Sequence, residues 1–297
     1  MQKSLATYTT RKEIVEGDNM GILEHPRQIL KYPGSKWNIA PKLADLIPPH
    51  HSYLEPFFGS GALFFYKHPS NMETINDLNS DVTNLFQCIQ QDAERLARLL
   101  LTIPYSRDVY EKQFEENLSY KDNFERAAGL LIRCWQSFGH RANGEKVGWK
   151  NDVQGRERMY ALWNWYRLPE WVIEVCERLR MVQIENRPAI ELIKRFDYEN
   201  VFQYWDPPYL LETRSGKQYT HEMTDTEHEK LLNLALKSKA LIMISGYESD
   251  MYNDMLHDWD KVTLKSCAEK GSPRTEVIWM NYKNPASVFL MDFLNFV

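Results

Sequence analysis

Tyr53-Leu54-Glu55-Pro56-Phe57-Phe58-Gly59-Ser60-Gly61 runs from a short apolar segment into two glycines, and Ala62-Leu63-Phe64-Phe65-Tyr66 follows as the opening of a helix. A buried strand, a tight turn and a helix leave that pattern. Next, Glu73-Thr74-Ile75-Asn76-Asp77 predicts a second strand that ends on an acid. Ser80 is placed to cap the helix that runs on through Leu85, Ile89, Leu96 and Leu100. Strand, glycine turn, helix, strand and helix within residues 52–101 open a parallel α/β sheet. The alternation returns later. Met181-Val182-Gln183-Ile184 reads as a strand, Ala189 to Phe196 as a helix, and Val201-Phe202-Gln203-Tyr204-Trp205 as a strand ending at Asp206. Thr224 or Asp225 caps a helix through Leu236, and Ala240-Leu241-Ile242-Met243-Ile244 is the most apolar strand. Strands over 259–266 and 275–282 are separated by 267–274, too short for a helical crossover, so they are expected to pair antiparallel.

Between these halves, residues from about 104 to 180 look helical, with no convincing strand pairs. An aromatic, basic, glycine-punctuated loop occupies 137–156. The expected division is an N-terminal extension over 1–27, one α/β domain over 28–101 and 181–297, and an inserted helical domain over 102–180.

The 297 residues, 43% hydrophobic, suffice for a sizeable core. No apolar run reaches the roughly 18–20 residues that span a bilayer. Met1 to Asn19 is mixed in charge and lacks a signal-peptide stretch, so a cytoplasmic protein is expected. Cys88, Cys134, Cys176 and Cys267 are far apart and read as reduced thiols. His221-Glu222 begins like a zinc motif, but His228 comes too late for one-turn spacing, so no metal is expected. Net charge is −5, yet Arg126 to Arg167 holds eight Lys/Arg against three Asp/Glu. A basic segment inside an acidic chain can neutralise phosphates without making the whole molecule adhesive.

In a parallel sheet, ligands sit at the carboxyl ends of the strands. Gly59 and Gly61 let backbone approach a ligand there, and Asp77 can accept hydrogen bonds from both ribose hydroxyls. Phe64 stands where a dinucleotide fingerprint has its third glycine, which disfavours a nicotinamide cofactor. Asp206-Pro207-Pro208-Tyr209 leaves its strand as a rigid corner, because neither proline can donate to a ladder. The Asp206 carboxylate and the Pro207 carbonyl offer two acceptors, matching the two hydrogens of an aromatic amine. Tyr209 offers a ring for an extruded base. The corner alone specifies an amine or planar amide; cytosine N4, an amine in RNA and a protein amide suit it too. A DNA-binding protein on an inactive version of the scaffold is a further alternative.

Four stretches, in order, resemble the Dam-type (alpha-class, D12 class) DNA adenine-N6 methyltransferases: Lys31-Tyr32-Pro33-Gly34-Ser35-Lys36, Glu55-Pro56-Phe57-Phe58-Gly59-Ser60-Gly61, Asn76-Asp77-Leu78-Asn79 and Asp206-Pro207-Pro208-Tyr209. The resemblance implies a Rossmann-like class I methyltransferase sheet, mostly parallel with an antiparallel last hairpin, and the helical insert as target-recognition domain. It implies S-adenosylmethionine as cofactor, touched by Tyr32, Lys36, Phe57, Gly59, Gly61, Asp77 and Asp206, with Asp206, Pro207 and Tyr209 catalytic. Double-stranded DNA is the implied partner, base flipping the implied mode, and pairing with a restriction endonuclease and a monomeric state are further expectations. For the insert, Arg141 suits guanine and Asn143 or Asn151 suits adenine. Lys146, Lys150, Arg156 and Arg158 suit phosphates, and Trp149 would fill the space a flipped base leaves. The loop departs from the Arg-Tyr-Asn pattern of the GATC-reading members.

Overall fold

The computed structural model describes residues 26–139, 141–151, 160–214, 216–267 and 273–285. The chain runs α1 (Ala40–Ala44), β1 (Ser52–Glu55), α2 (Ala62–Tyr66), β2 (Met72–Asn76), α3 (Ser80–Thr102), α4 (Arg107–Lys112), α5 (Asn123–Trp135) and α6 (Tyr160–Leu179). It continues through β3 (Val182–Glu185), α7 (Ala189–Arg195), β4 (Val201–Trp205), α8 (Asp225–Ala235), β5 (Leu241–Gly246), α9 (Asp250–Met255), β6 (Asp260–Cys267) and β7 (Pro273–Met280). A short 3₁₀ turn, Leu211–Thr213, follows β4.

The seven strands form one sheet in the order β3-β2-β1-β4-β5-β7-β6. The first five are parallel, and β7 runs antiparallel to both its neighbours. This is the expected sheet with its antiparallel hairpin, and it is consistent with a class I methyltransferase fold. Every residue of β4 is buried, as a central strand covered on both faces requires. From β1 the chain crosses to β2 on one side, while β4 passes on to β5 on the other. Leu54 lies opposite Gln203, so the chain leaves β1 and β4 side by side. A crevice opens where the order reverses, and that is where such sheets bind ligands.

Two local expectations are corrected. Asn79, not Ser80, caps α3: its side chain accepts from the Asp81 N–H at 2.9 Å. Asn79 has extended backbone and precedes the first helical residue, whereas Ser80 already lies inside the helix and accepts from Arg126 at 2.6 Å. Strand β3 begins at Val182, and Met181 stands exposed before it. Thr224 caps α8 in a reciprocal box with Glu227.

The insert shares the core of the sheet. Leu130, Leu131, Trp135, Val172 and Val175 are buried in the same cluster as Tyr53, Phe64 and Phe86. The Trp135 indole donates to the Ile29 carbonyl at 2.7 Å. Asp81, in the first turn of α3, pairs with Arg126 at 2.7 Å and Arg133 at 2.8 Å. Two of the basic residues counted in the insert are therefore engaged in holding α5 to α3. Buried Glu73 on β2 takes Lys67 at 2.6 Å and also Arg178 at the end of α6. A single antiparallel bridge, Ser137 to Trp149, is the strand pairing found between α5 and α6 among the described residues.

Candidate active site

A cleft, open to solvent, lies at the carboxyl ends of β1, β2 and β4. Tyr32, Gly34 and Lys36 line it from the N-terminal side, and Glu55, Phe57 and Gly59 from the turn after β1. Asp77 to Asn79, Pro188 to Ile190, Asp206 and Pro208 form its other walls. Tyr219, His221 and Glu222 belong to a strap that crosses it after the corner. The structure thus brings Tyr32, Lys36, Phe57, Gly59, Asp77 and Asp206 around one space.

Gly61 stands just behind that space as the N-cap of α2. Its φ is +65°, and a Cβ there would meet the Phe58 ring at 2.3 Å. Gly59, φ +50°, brings its backbone against the Tyr32 ring. Gly61→Ala would impose a left-handed backbone on an L residue and push Phe58 into Phe64, Phe65 and Phe86, its ring neighbours. We expect it to lower unfolding free energy by about 2 kcal/mol in urea titration, with Ser60→Ala near wild type.

Asp77 is fixed before any ligand arrives. Its Oδ2 accepts from the Gly59 N–H and its Oδ1 from the Asn79 N–H, each at 2.8 Å. Each oxygen keeps a second lone pair for a hydroxyl. Burial in the cleft wall pushes its pKa up to about 6, against these two hydrogen bonds. Burial likewise pushes Glu55 up to about 8, against the Tyr53 hydroxyl that donates to it at 2.6 Å.

The corner after β4 is more engaged than its sequence reveals. Lys36 Nζ donates to Asp206 Oδ2 at 2.9 Å, and Ser245 Oγ donates to Oδ1 at 2.7 Å. The carboxylate plane is therefore held from two sides. Burial works against the Lys36 ammonium, but the carboxylates of Asp206 and then Glu276 outweigh it and hold its pKa above the usual lysine value. Pro207 is buried within the corner, and Pro208 faces the cleft. Tyr209 is almost wholly buried, donates to Glu276 Oε2 at 2.7 Å and meets Tyr247 edge-on at 4.7 Å.

The expected DNA contacts are dispersed. Arg141 is exposed and paired with Glu145, and Lys146 pairs with Glu111 at 3.4 Å. Asn143 hydrogen-bonds the strap: its N–H donates to the Gln218 carbonyl at 3.2 Å and its amide to the Lys217 carbonyl at 3.4 Å. Trp149 is half-buried beneath Arg107 and against Tyr105, so its ring is part of the packing. Lys150 is tied through its backbone to Gln136 and Tyr105, and Asn151 is exposed. Arg156 and Arg158 lie outside the described residues.

Residues 32–270 match the family model described as D12 class N6 adenine-specific DNA methyltransferase. The chain belongs to that family. It is similar to a type II methyltransferase, M1.LlaDCHI, of Lactococcus lactis subsp. cremoris, 26% identical over 87% of this chain and 96% of the relative. It is 24% identical to the type II methyltransferase M.MjaIII of Methanocaldococcus jannaschii, over 86% of this chain and 99% of that one. A DNA N-6-adenine-methyltransferase of Escherichia phage P1 is 23% identical over 79% of this chain and 32% of its own length. Among the described residues of this adenine-specific DNA methyltransferase, no helix is long and apolar enough to cross a membrane.

Four side chains of this family member escaped the sequence reading: Ser245, Glu276, Tyr219 and Glu222. Ser245 and Glu276 reach the corner from β5 and β7, across the sheet. Tyr219 donates to the Pro33 carbonyl at 3.1 Å, and Glu222, paired with Arg214, accepts from the Gln218 and Tyr219 N–H groups. A signal existed for one of them: Glu276 is an acid inside Thr275-Glu276-Val277-Ile278-Trp279, where an apolar residue would be expected.

Proposed function

We propose that this methyltransferase acts at a specific sequence in double-stranded DNA, moving a methyl group from S-adenosylmethionine to N6 of an adenine flipped into the cleft. The observation that carries this reading is Asp206, held at both oxygens at the switch point of the sheet, in one cleft with Asp77. When bound, S-adenosylmethionine supplies a methyl group on a positively charged sulfur. The cleft suits that molecule. Asp77 keeps lone pairs for ribose hydroxyls, and Phe57, Leu78 and Ile190 offer apolar walls for a purine. Tyr32, Lys36, Gly59 and Gly61 complete the set of residues assigned to holding it.

Adenine N6 is a poor nucleophile because its lone pair is delocalised into the ring. Asp206 and the Pro207 carbonyl would accept its two hydrogens and favour a pyramidal nitrogen, so the pair is localised and aimed. No strong base is needed, because the proton can leave after the methyl has arrived. Tyr209 offers its ring to the base.

The segment 102–180 serves as target-recognition region, with Arg141, Asn143, Lys146, Trp149, Lys150, Asn151 and Arg156 as the side chains nearest that task. The type II names of two relatives support pairing with a restriction endonuclease that cuts the same sequence. A monomer in the cytoplasm completes the reading.

The test is transfer of labelled methyl from S-adenosylmethionine to unmethylated duplex DNA, followed by mass spectrometry of the nucleosides. N6-methyl-2′-deoxyadenosine is expected. N4-methylcytosine as product would overturn the choice of acceptor, and absence of transfer with intact cofactor binding would overturn catalysis.

A further inference from the structure

Strand β7 buries Val277, Ile278, Trp279 and Met280, and it buries Glu276 with them, only 5% exposed. Taking a carboxylate out of water is costly, and an apolar side chain of similar volume often serves stability as well or better. The acid therefore has a task beyond filling space. Its Oε2 accepts from the Tyr209 hydroxyl at 2.7 Å.

A tyrosine ring on a turn is free to swing about its side-chain bonds unless something holds its far end. Here the ring is almost wholly buried, and three groups among the described residues fix its attitude. Glu276 fixes the hydroxyl, Tyr247 meets the ring edge-on at 4.7 Å and 73°, and Lys36 Nζ stands 4.8 Å from its centroid. The Glu276 bond is the directional one, and a phenol donating to a carboxylate makes a stronger bond than a neutral pair. Burial raises the Tyr209 pKa well above its ordinary value, so the phenol keeps the proton it donates.

The geometry points to Glu276 as a positioning residue that locks the Tyr209 ring in the attitude a flipped adenine meets. This rests on the base-flipping reading above. Glu276 touches neither base nor cofactor in it; it acts through Tyr209. The same carboxylate also helps keep Lys36 charged, so the two effects must be separated by experiment.

Turnover on unmethylated genomic DNA with tritiated S-adenosylmethionine separates them. Glu276→Ala is expected to lower kcat about tenfold, because a displaced ring misaligns the amine, while cofactor affinity by calorimetry stays within about threefold. Glu276→Gln is expected to recover most of that loss, since the amide oxygen still accepts from the phenol. Tyr209→Phe cuts the same bond from the other side, so Tyr209→Phe/Glu276→Ala should be no worse than either single variant. If Glu276→Ala fails to fold, the comparison of Tyr209→Phe with Glu276→Gln carries the test. Three results would overturn the assignment: unchanged turnover in Glu276→Ala, a Gln variant as impaired as Ala, or losses that multiply in the double variant. A charge effect through Lys36 gives the second. If Tyr209→Ala itself costs nothing, the stacking reading fails instead, whatever Glu276 does.

Discussion

Asp206→Asn is expected to lower methyl transfer by about a thousandfold while leaving the fold and most cofactor affinity in place. Asparagine has the shape of aspartate but one acceptor oxygen instead of two. Lys36 Nζ stands 2.9 Å from Oδ2 and can only donate, so the amide oxygen must turn to it. The amide nitrogen then occupies the Oδ1 position, where the Ser245 hydroxyl can rotate to accept from it. Its other hydrogen faces the cleft. A donor now meets the N6 hydrogens where an acceptor is required, and the lone pair is no longer drawn out of the adenine ring. Lys36 keeps the Gly34 carbonyl and the influence of Glu276, so the ammonium is not left bare. Single-turnover quench measures the chemistry, and calorimetry with S-adenosylmethionine measures the cofactor site. A variant that retains even a tenth of wild-type turnover would remove Asp206 from the mechanism.

The contrast between Asp206 and its supports explains what could be read from the chain alone. The corner, the Gly59–Gly61 turn and Asp77 are each set by a few consecutive residues at a strand end, and strand ends are legible as apolar runs that stop. Their convergence follows from the sheet order, because parallel strands place all their carboxyl ends on one edge. Ser245 and Glu276 are different. Each sits on another strand, and only the register across β4, β5 and β7 decides which side chain faces Asp206 or Tyr209. Periodicity gives the face of a strand, not its neighbour's residue number.

In the insert, the partners of the basic residues are illegible in the sequence for a related reason. Charge along the chain counts Arg126 and Arg133 as available to phosphate, but helical spacing turns both toward Asp81 on α3. Trp149 is expected to fill the space a flipped base leaves, and in the free protein its ring packs against Tyr105 and under Arg107. What the insert does expose near the cleft is the contact of Ala142 and Asn143 with the strap at 217–220. This loop of the insert therefore bears directly on the segment that carries Tyr219 to the Pro33 carbonyl at the cleft.

Asp77→Asn should weaken S-adenosylmethionine binding about a hundredfold, and the pH dependence of binding identifies the cause. Both oxygens of Asp77 already accept from backbone N–H groups, of Gly59 and Asn79. An amide can satisfy only one of them, so the other faces an NH₂ group and the turn that forms the cleft floor is disturbed. In the wild type, burial raises the Asp77 pKa to about 6. The ionised form is the better acceptor for ribose hydroxyls, so a bound ribose lowers that pKa. The Asp77 contribution to affinity should therefore be lost as pH drops through 6, by at most about tenfold per unit. Stability of the free protein follows the opposite sign. A carboxyl whose pKa is raised on folding from its ordinary 3.8 contributes stability that is full below that value and lost as pH rises through 6. Over the window from about 4 to 6, melting of the free protein and cofactor affinity should move in opposite directions. Asp77→Asn should flatten both curves together. An affinity curve that keeps its acid limb in this variant would place the titrating group elsewhere in the cleft, with Glu55, held at about 8, unable to supply a limb at that pH.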